Sequence, residues 1–307
     1  MKPQLWVKSY PYPKEVQALA DLGAQNVGME LFLGGNTDKN EECIRICNDN
    51  YPRLGIELFC YQDEEKGKGE IIYNPLSTDQ AVKQLSRNYL FGALELAIKY
   101  GATHLQLDGN DGYIARPGQI ITAATITEAI ERKKSLLTEI AERFDNFPVY
   151  FENTFPIDDH APEFIFSVTG HRLSDFYEKG LPLEYDVAHH AVALDIYNRA
   201  DQFNFPLTNE EIQLAEKVRQ VGITAVILED LQKIPQIYFT QLSNATPFAL
   251  LHKPDTPAED SSGLMVDLEA VLPTLMTKSL NITPEVADKD YVQRPNLRNW
   301  IKMLQEF

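Results

Sequence analysis

The chain has 307 residues, 44% apolar and 24% charged, a balance typical of a globular protein and a length normal for one (β/α)8 barrel. Its net charge of −17, from 28 basic and 45 acidic side chains, repels nucleic acid and anionic membranes. No run of about 18 apolar residues is present. Met1-Lys2-Pro3-Gln4 leads into a strand pattern rather than an apolar signal region, so a cytoplasmic protein is expected.

Gln4–Ser9 (QLWVKS) reads as a first strand and Pro13–Gly23 as a helix with Val16, Leu19, Ala20 and Leu22 at helical spacing, stopped by a glycine. Asn26–Leu33 and Arg53–Tyr61 read as the second and third strands. They share the pattern G-x-E-L-F, with Glu30 and Glu57 in matching places, around a helix at Thr37–Asn48. Cys43 and Cys47 share one face of that helix and, with no histidine nearby, read as structural thiols along with Cys60. Gln62–Pro75 is polar and glycine-containing, a long loop of the kind that is often functional. A helix at Thr78–Tyr100, a strand at Thr103–Asp108 and a helix at Thr127–Phe144 follow.

Pro148–Thr154 (PVYFENT) is an apolar run that ends in a carboxylate, an amide and a hydroxyl, as expected of a strand buried on both faces with a polar C-terminal tip. After it come a short helix at Leu173–Lys179 and a strand at Leu181–Val187. A helix at Asn209–Gln220, a strand-like Ile223–Leu228 and a helical Pro235–Leu242 are read next. The chain closes with a strand at Phe248–His252, a helix at Leu268–Met276, a strand at Asn281–Val286 and a helix at Asn296–Gln305. Strand–helix alternation without a linker predicts a single α/β domain over 1–307, a (β/α)8 TIM barrel with an insertion around 195–245.

In such barrels the chemistry sits at the C-terminal ends of the strands. There the sequence offers Glu152 and Asn153, then Asp186 and His189, then His252, and finally Glu285. Converging carboxylates and one imidazole suit Mn²⁺, Mg²⁺, Co²⁺ or Zn²⁺ with open positions for a substrate. Singly, Asp186 reads as a helix cap, His252 as a surface or core histidine, and Glu30, Glu57 and Glu184 as strand-edge carboxylates, with a cavity-facing position the alternative for Glu30 and Glu57.

Four local patterns resemble the xylose isomerase-like TIM barrels, the superfamily of sugar phosphate isomerases/epimerases and endonuclease IV. They are NYLFGALELAIKYGATHLQLD (Asn88–Asp108), VYFENT, YDVAHH, and the run from LLHKPD to GLMVDLEAVLPTL with His252, Asp255, Gly263 and Asp267. The resemblance implies a divalent metal held by Glu152, Asp186, His252 and Glu285, with Glu152 and Glu285 also the acid/base catalysts. The substrate-binding candidates of this sequence are His189, Asn153, Asp108, Arg116 and Lys253. Strand four ends in Asp108-Gly109 where the family often has a histidine, which argues against the trinuclear zinc site of the endonuclease branch. A second register makes Ile223–Leu228 strand seven and Phe248–His252 strand eight, with Glu229 replacing Glu285 as ligand.

The expectation is a metal-dependent isomerase or epimerase that abstracts a proton next to a carbonyl. Its partner would be a small sugar or polyol rather than nucleic acid or membrane, and a homo-oligomer is compatible with the sequence. A phosphate ester would need cations, for which Arg116, Lys253 and Lys8 are the candidates. An inosose dehydratase-like lyase on the same metal, or a barrel that only binds a ligand, are the alternatives.

Overall fold

The computed structural model describes residues 2–33, 37–58, 74–77, 80–107, 122–156, 170–203, 207–244, 265–285 and 293–307. In chain order these form β1 (Gln4–Ser9), α1 (Pro13–Ala18), α2 (Ala20–Gly23), β2 (Gly28–Leu33), α3 (Thr37–Asn50), β3 (Leu54–Leu58) and α4 (Gln80–Lys99). Then come β4 (Leu105–Leu107), α5 (Ala123–Arg143), β5 (Val149–Glu152), α6 (Ser174–Tyr177), β6 (Leu183–Asp186) and α7 (Val187–Asn198). The remainder is α8 (Ala200–Phe203), α9 (Asn209–Val221), α10 (Ile223–Lys233), β7 (Ile237–Leu242), α11 (Leu268–Lys278), β8 (Ser279–Pro284) and α12 (Pro295–Glu306). Every strand pairs in parallel with the next, and β8 returns to β1 through Gln4 opposite Asn281, so the sheet closes as a single eight-stranded barrel. Among the described residues no helix is long and apolar enough to cross a membrane.

An aromatic plug fills the N-terminal end of the barrel. Trp6, His104 and Phe239 meet with ring centroids 5.1–5.6 Å apart, and the Trp6 indole N–H donates to Asn281 Oδ1 at 2.8 Å. Glycine makes room for two of these rings. A Cβ on Gly28 would lie 2.6 Å from the Trp6 ring, and one on Gly55 2.5 Å from that of His104. The repeated G-x-E-L-F pattern therefore does one job twice: a glycine under a ring, then a buried glutamate two residues further up the strand.

The sequence reading misplaces the elements between β6 and β8. Ile223–Leu228, expected as a strand, opens α10. Its β-branched residues resemble a strand locally, but Val226, Ile227, Asp230 and Leu231 form one buried helical stripe, and Gly222 at φ +83° turns the chain into it. Pro235–Leu242, expected as a helix, supplies β7, whose aromatic and β-branched IYFTQL suits a buried strand. The strand expected at Phe248–His252 lies outside the described residues. The stretch around 195–245 thus holds α8, α9, α10 and β7. Helix α7 is buried on nearly every side beneath α9 and α10, so it carries no amphipathic period that a sequence reading could catch.

Candidate metal centre at the barrel mouth

Strands β5 and β6 end side by side, with Glu152 opposite Glu184 in register, so Glu152 and Asp186 emerge as neighbours at the C-terminal end. Asp186 leaves the strand in an extended conformation and caps α7, its Oδ1 accepting the His189 N–H at 2.6 Å. That cap fixes the first turn of α7 and swings the His189 ring over β5. There Nδ1 lies 2.9 Å from the Asn153 carbonyl oxygen and 3.1 Å from Glu152 Oε1. Ligand atoms of Glu152, Asp186 and His189 all lie within 4.8 Å of one another.

Further polar side chains hold this trio in place. Asn153 spends its whole amide on the Asp186 backbone: Nδ2 donates to the carbonyl at 2.9 Å and Oδ1 accepts the N–H at 2.7 Å. The Ser243 hydroxyl, just past β7, lies 3.2 Å from both Asp186 carboxylate oxygens, and Gln106 Nε2 on β4 donates to Glu152 Oε2 at 3.1 Å.

Burial raises the pKa of Glu152, with partial relief from His189, and burial likewise raises that of Asp186. Burial opposes charge on His189 too, yet Asp186 and Glu152 together outweigh it and push the imidazole well above its usual range. The trio thus holds more buried negative charge than its one imidazole offsets comfortably. Two carboxylates and an imidazole form a donor set that fits a divalent cation, and a Nδ1 hydrogen bond to a backbone carbonyl is the usual way to leave Nε2 for a metal.

The opposite part of the mouth carries its own cation. Lys8 on β1 is buried, and its Nζ lies 2.6 Å from Glu57 Oε2 on β3 and 2.7 Å from Glu285 Oε1 just after β8. Burial opposes the ammonium, but Glu285 and Glu57 raise its pKa well above the ordinary value, so it stays protonated. Below the mouth, His104 Nε2 sits 3.3 Å from Glu30 Oε1, and Gln241 Nε2 donates to Glu184 Oε1 at 3.0 Å. Glu30 Oε2, Glu184 Oε2 and Gln106 Oε1 are buried without a hydrogen-bond partner among the described residues. Burial, reinforced by Glu30, drives the Glu184 pKa well up. Glu30, Glu57 and Glu184 are therefore interior groups and not strand-edge carboxylates.

Of the predicted site residues, Glu152, Asp186 and His189 come together, and His189 joins the donors instead of standing only at the substrate. Asn153 turns out to position Asp186. Glu285 reaches the mouth but is held by Lys8. Lys8, considered as a phosphate partner, is already committed to two carboxylates. His252, Asp108, Arg116 and Lys253 lie outside the described residues. Glu229, the alternative ligand, is half-exposed on α10 and pairs there with Lys217 and Lys233, away from the strand tips. Strand seven ends in Gln241, Ser243 and Asn244, and the Asn244 amide is tied to the Val266 backbone, so no histidine follows this strand within the described residues. The residues that sequence reasoning missed are Ser243 and Gln106, together with the pairing of Lys8 with Glu57 and Glu285.

No family model and no curated protein matches the sequence. Solved structures do match in shape over nearly the whole length. Endonuclease IV from Thermus thermophilus aligns at TM-score 0.56 and 14% identity, over 99% of this chain and 100% of its own. An L-ribulose 3-epimerase aligns at TM-score 0.56 and 11% identity, over 99% and 95%. The IOLI protein with a binding zinc atom aligns at TM-score 0.50 and 13% identity, over 100% and 96%. At these identities the likeness is one of fold. What this chain shares with them is the closed, eight-stranded parallel barrel.

Proposed function

We propose that the chain is an enzyme that uses a divalent cation at the barrel mouth to isomerise or epimerise a sugar or polyol by moving a proton next to a carbonyl. The observation that carries this reading is the convergence of Glu152, Asp186 and His189 within 4.8 Å at the ends of β5 and β6. The likeness in fold to an L-ribulose 3-epimerase and to a zinc-binding protein supports it.

A bound divalent ion would polarise neighbouring carbonyl and hydroxyl oxygens of the substrate and acidify the adjoining C–H. Glu152, Asp186 and His189 would hold that ion, with Asn153 and Ser243 fixing the Asp186 carboxylate. Glu152 is a buried carboxylate whose pKa burial raises, which makes it a better proton acceptor than an ordinary carboxylate. Glu285 approaches from the end of β8, so a carbon held between the two would meet a carboxylate from each side. A neutral sugar fits better than a phosphate ester, because the Lys8 ammonium is already engaged and the mouth is rich in carboxylates.

The test is metal content of the purified protein by mass spectrometry, wild type beside Glu152→Gln, followed by deuterium uptake from D2O into a panel of ketoses and inososes. Near-stoichiometric metal that the variant loses, with deuterium entering carbon beside the carbonyl of one substrate, is the expected result. Protein that takes up no Mn²⁺, Co²⁺ or Zn²⁺ overturns the reading.

A further inference from the structure

Glu285 follows β8, where the family resemblance places a metal ligand, yet the structure gives its carboxylate to an ammonium. Lys8 rises from the inner face of β1 with its Nζ 2.7 Å from Glu285 Oε1, 2.6 Å from Glu57 Oε2 and 4.9 Å from the centre of the Phe32 ring. Two carboxylates and an aromatic face surround the ammonium. Its side chain is 6% exposed and that of Glu57 5%, so water screens the pair little, while Glu285 at 18% is the partner that reaches furthest toward the opening. Among the described residues, the donor atoms close enough to share one ion belong to Glu152, Asp186 and His189, and Glu285 is not one of them.

We propose that Lys8 is a built-in cation that withdraws Glu285 from the metal-ligand set, leaving the ion to Glu152, Asp186 and His189 and reserving Glu285 as a metal-free carboxylate facing the substrate. The inference rests on the metal-dependent reading above and makes Lys8 a positioning residue. An ammonium and a divalent ion compete for the same carboxylate lone pairs. The one already seated at 2.7 Å in a dry site has the advantage, because displacing it would strand a buried charge on Lys8. A carboxylate kept off the metal retains a lone pair for a proton, which the second acid/base group of the proposed reaction needs.

The experiment is titration of the metal-free full chain with Co²⁺ alone, following visible absorption, with affinity read by competition against a chromophoric chelator. It compares wild type, Glu285→Gln, Glu152→Gln and Lys8→Met, with a thermal melt of each as the folding control. Glu285→Gln should bind within about threefold of wild type with an unchanged Co²⁺ spectrum, whereas Glu152→Gln should lose on the order of 100-fold or more. Lys8→Met frees Glu285 and should tighten Co²⁺ by about tenfold, with a spectrum altered by the added oxygen ligand. If Lys8→Met does not fold, Glu285→Gln decides alone. Wild type that binds Co²⁺, with Glu285→Gln weakened as much as Glu152→Gln, overturns this inference and leaves the metal reading standing. A folded Lys8→Met with unaltered affinity and spectrum also overturns it. Wild type that binds no Co²⁺ overturns both.

Discussion

The two parts of the barrel mouth face the same physical problem and solve it differently. On the β8–β1–β3 side, Glu285 and Glu57 are buried or half-buried carboxylates whose counter-charge is a lysine of the chain itself, at 2.7 and 2.6 Å. On the β5–β6 side, His189 is the basic side chain paired with Glu152 and Asp186 among the described residues, and burial leaves both carboxylates with raised pKa values. A fixed ammonium neutralises the first side and holds Glu57 and Glu285 in place. Among the described residues the second side has no such ammonium, and a proton or an exchangeable cation would offset its charge. One lysine thus distinguishes carboxylates whose counter-charge is fixed from a pair whose counter-charge can exchange.

The sharpest way to break the comparison is to remove the lysine. Lys8→Met strands Glu57 in a buried site without its partner and should cost about 3–5 kcal/mol in urea denaturation, the usual penalty for breaking a buried ion pair from one side. Adding Glu57→Gln should recover part of that loss, because the stranded charge goes with it. A double variant no more stable than the single would show that Lys8 acts by packing alone.

Glu152→Gln probes the other side, where no ion pair of comparable strength is lost. Without metal the variant should be about as stable as wild type, since its neutral amide replaces a carboxylate that burial already disfavours. With metal at about 100 times the wild-type dissociation constant, wild type should gain about 2.7 kcal/mol and the variant almost none. Calorimetric melts with and without Zn²⁺ or Mn²⁺ read both numbers, and equal metal stabilisation of the two proteins would contradict the assignment.

How much of this was legible in the sequence follows the range of the interactions. The tips of β5 and β6 were readable because each apolar run ends abruptly in polar residues, and because Asp186 and His189 are three apart, the spacing that makes one the cap of the other. The G-x-E-L-F repeat was visible as well, although its meaning depends on rings from Trp6 and His104 that only barrel closure brings over Gly28 and Gly55. Strand β7 was not legible. Pro235 looks like a helix start, and the β-branched Ile223–Leu228 competes with it for the role of strand. Lys8 was legible as a cation near the strand tips, but its pairing with Glu57 and Glu285 was not, because those partners come from β3 and the end of β8 and meet it only when the barrel closes.

Asn153 joins the two levels of the site, and its removal should sharpen the comparison further. Both ends of its amide bond the Asp186 backbone in a buried setting, so Asn153→Ala should cost about 1–3 kcal/mol. Because those bonds aim the Asp186 carboxylate, metal affinity should also fall about 10–100-fold. A stability loss with unchanged affinity would limit Asn153 to a purely structural role.

The mildest change tests whether the β7 tip belongs to the metal side at all. The Ser243 hydroxyl lies 3.2 Å from each Asp186 oxygen, near the long end of a hydroxyl–carboxylate bond, and it has no oppositely charged partner whose loss would strand a buried ion. Ser243→Ala removes one neutral donor from a carboxylate that the His189 backbone N–H still holds at 2.6 Å. The cost to metal affinity should therefore be no more than about tenfold, at the low end for groups that orient a ligand. A Co²⁺ titration of the variant measures it. A loss as large as that of Glu152→Gln would mean that Ser243 itself binds the ion, which would make the tip of β7 a ligand position filled by a hydroxyl.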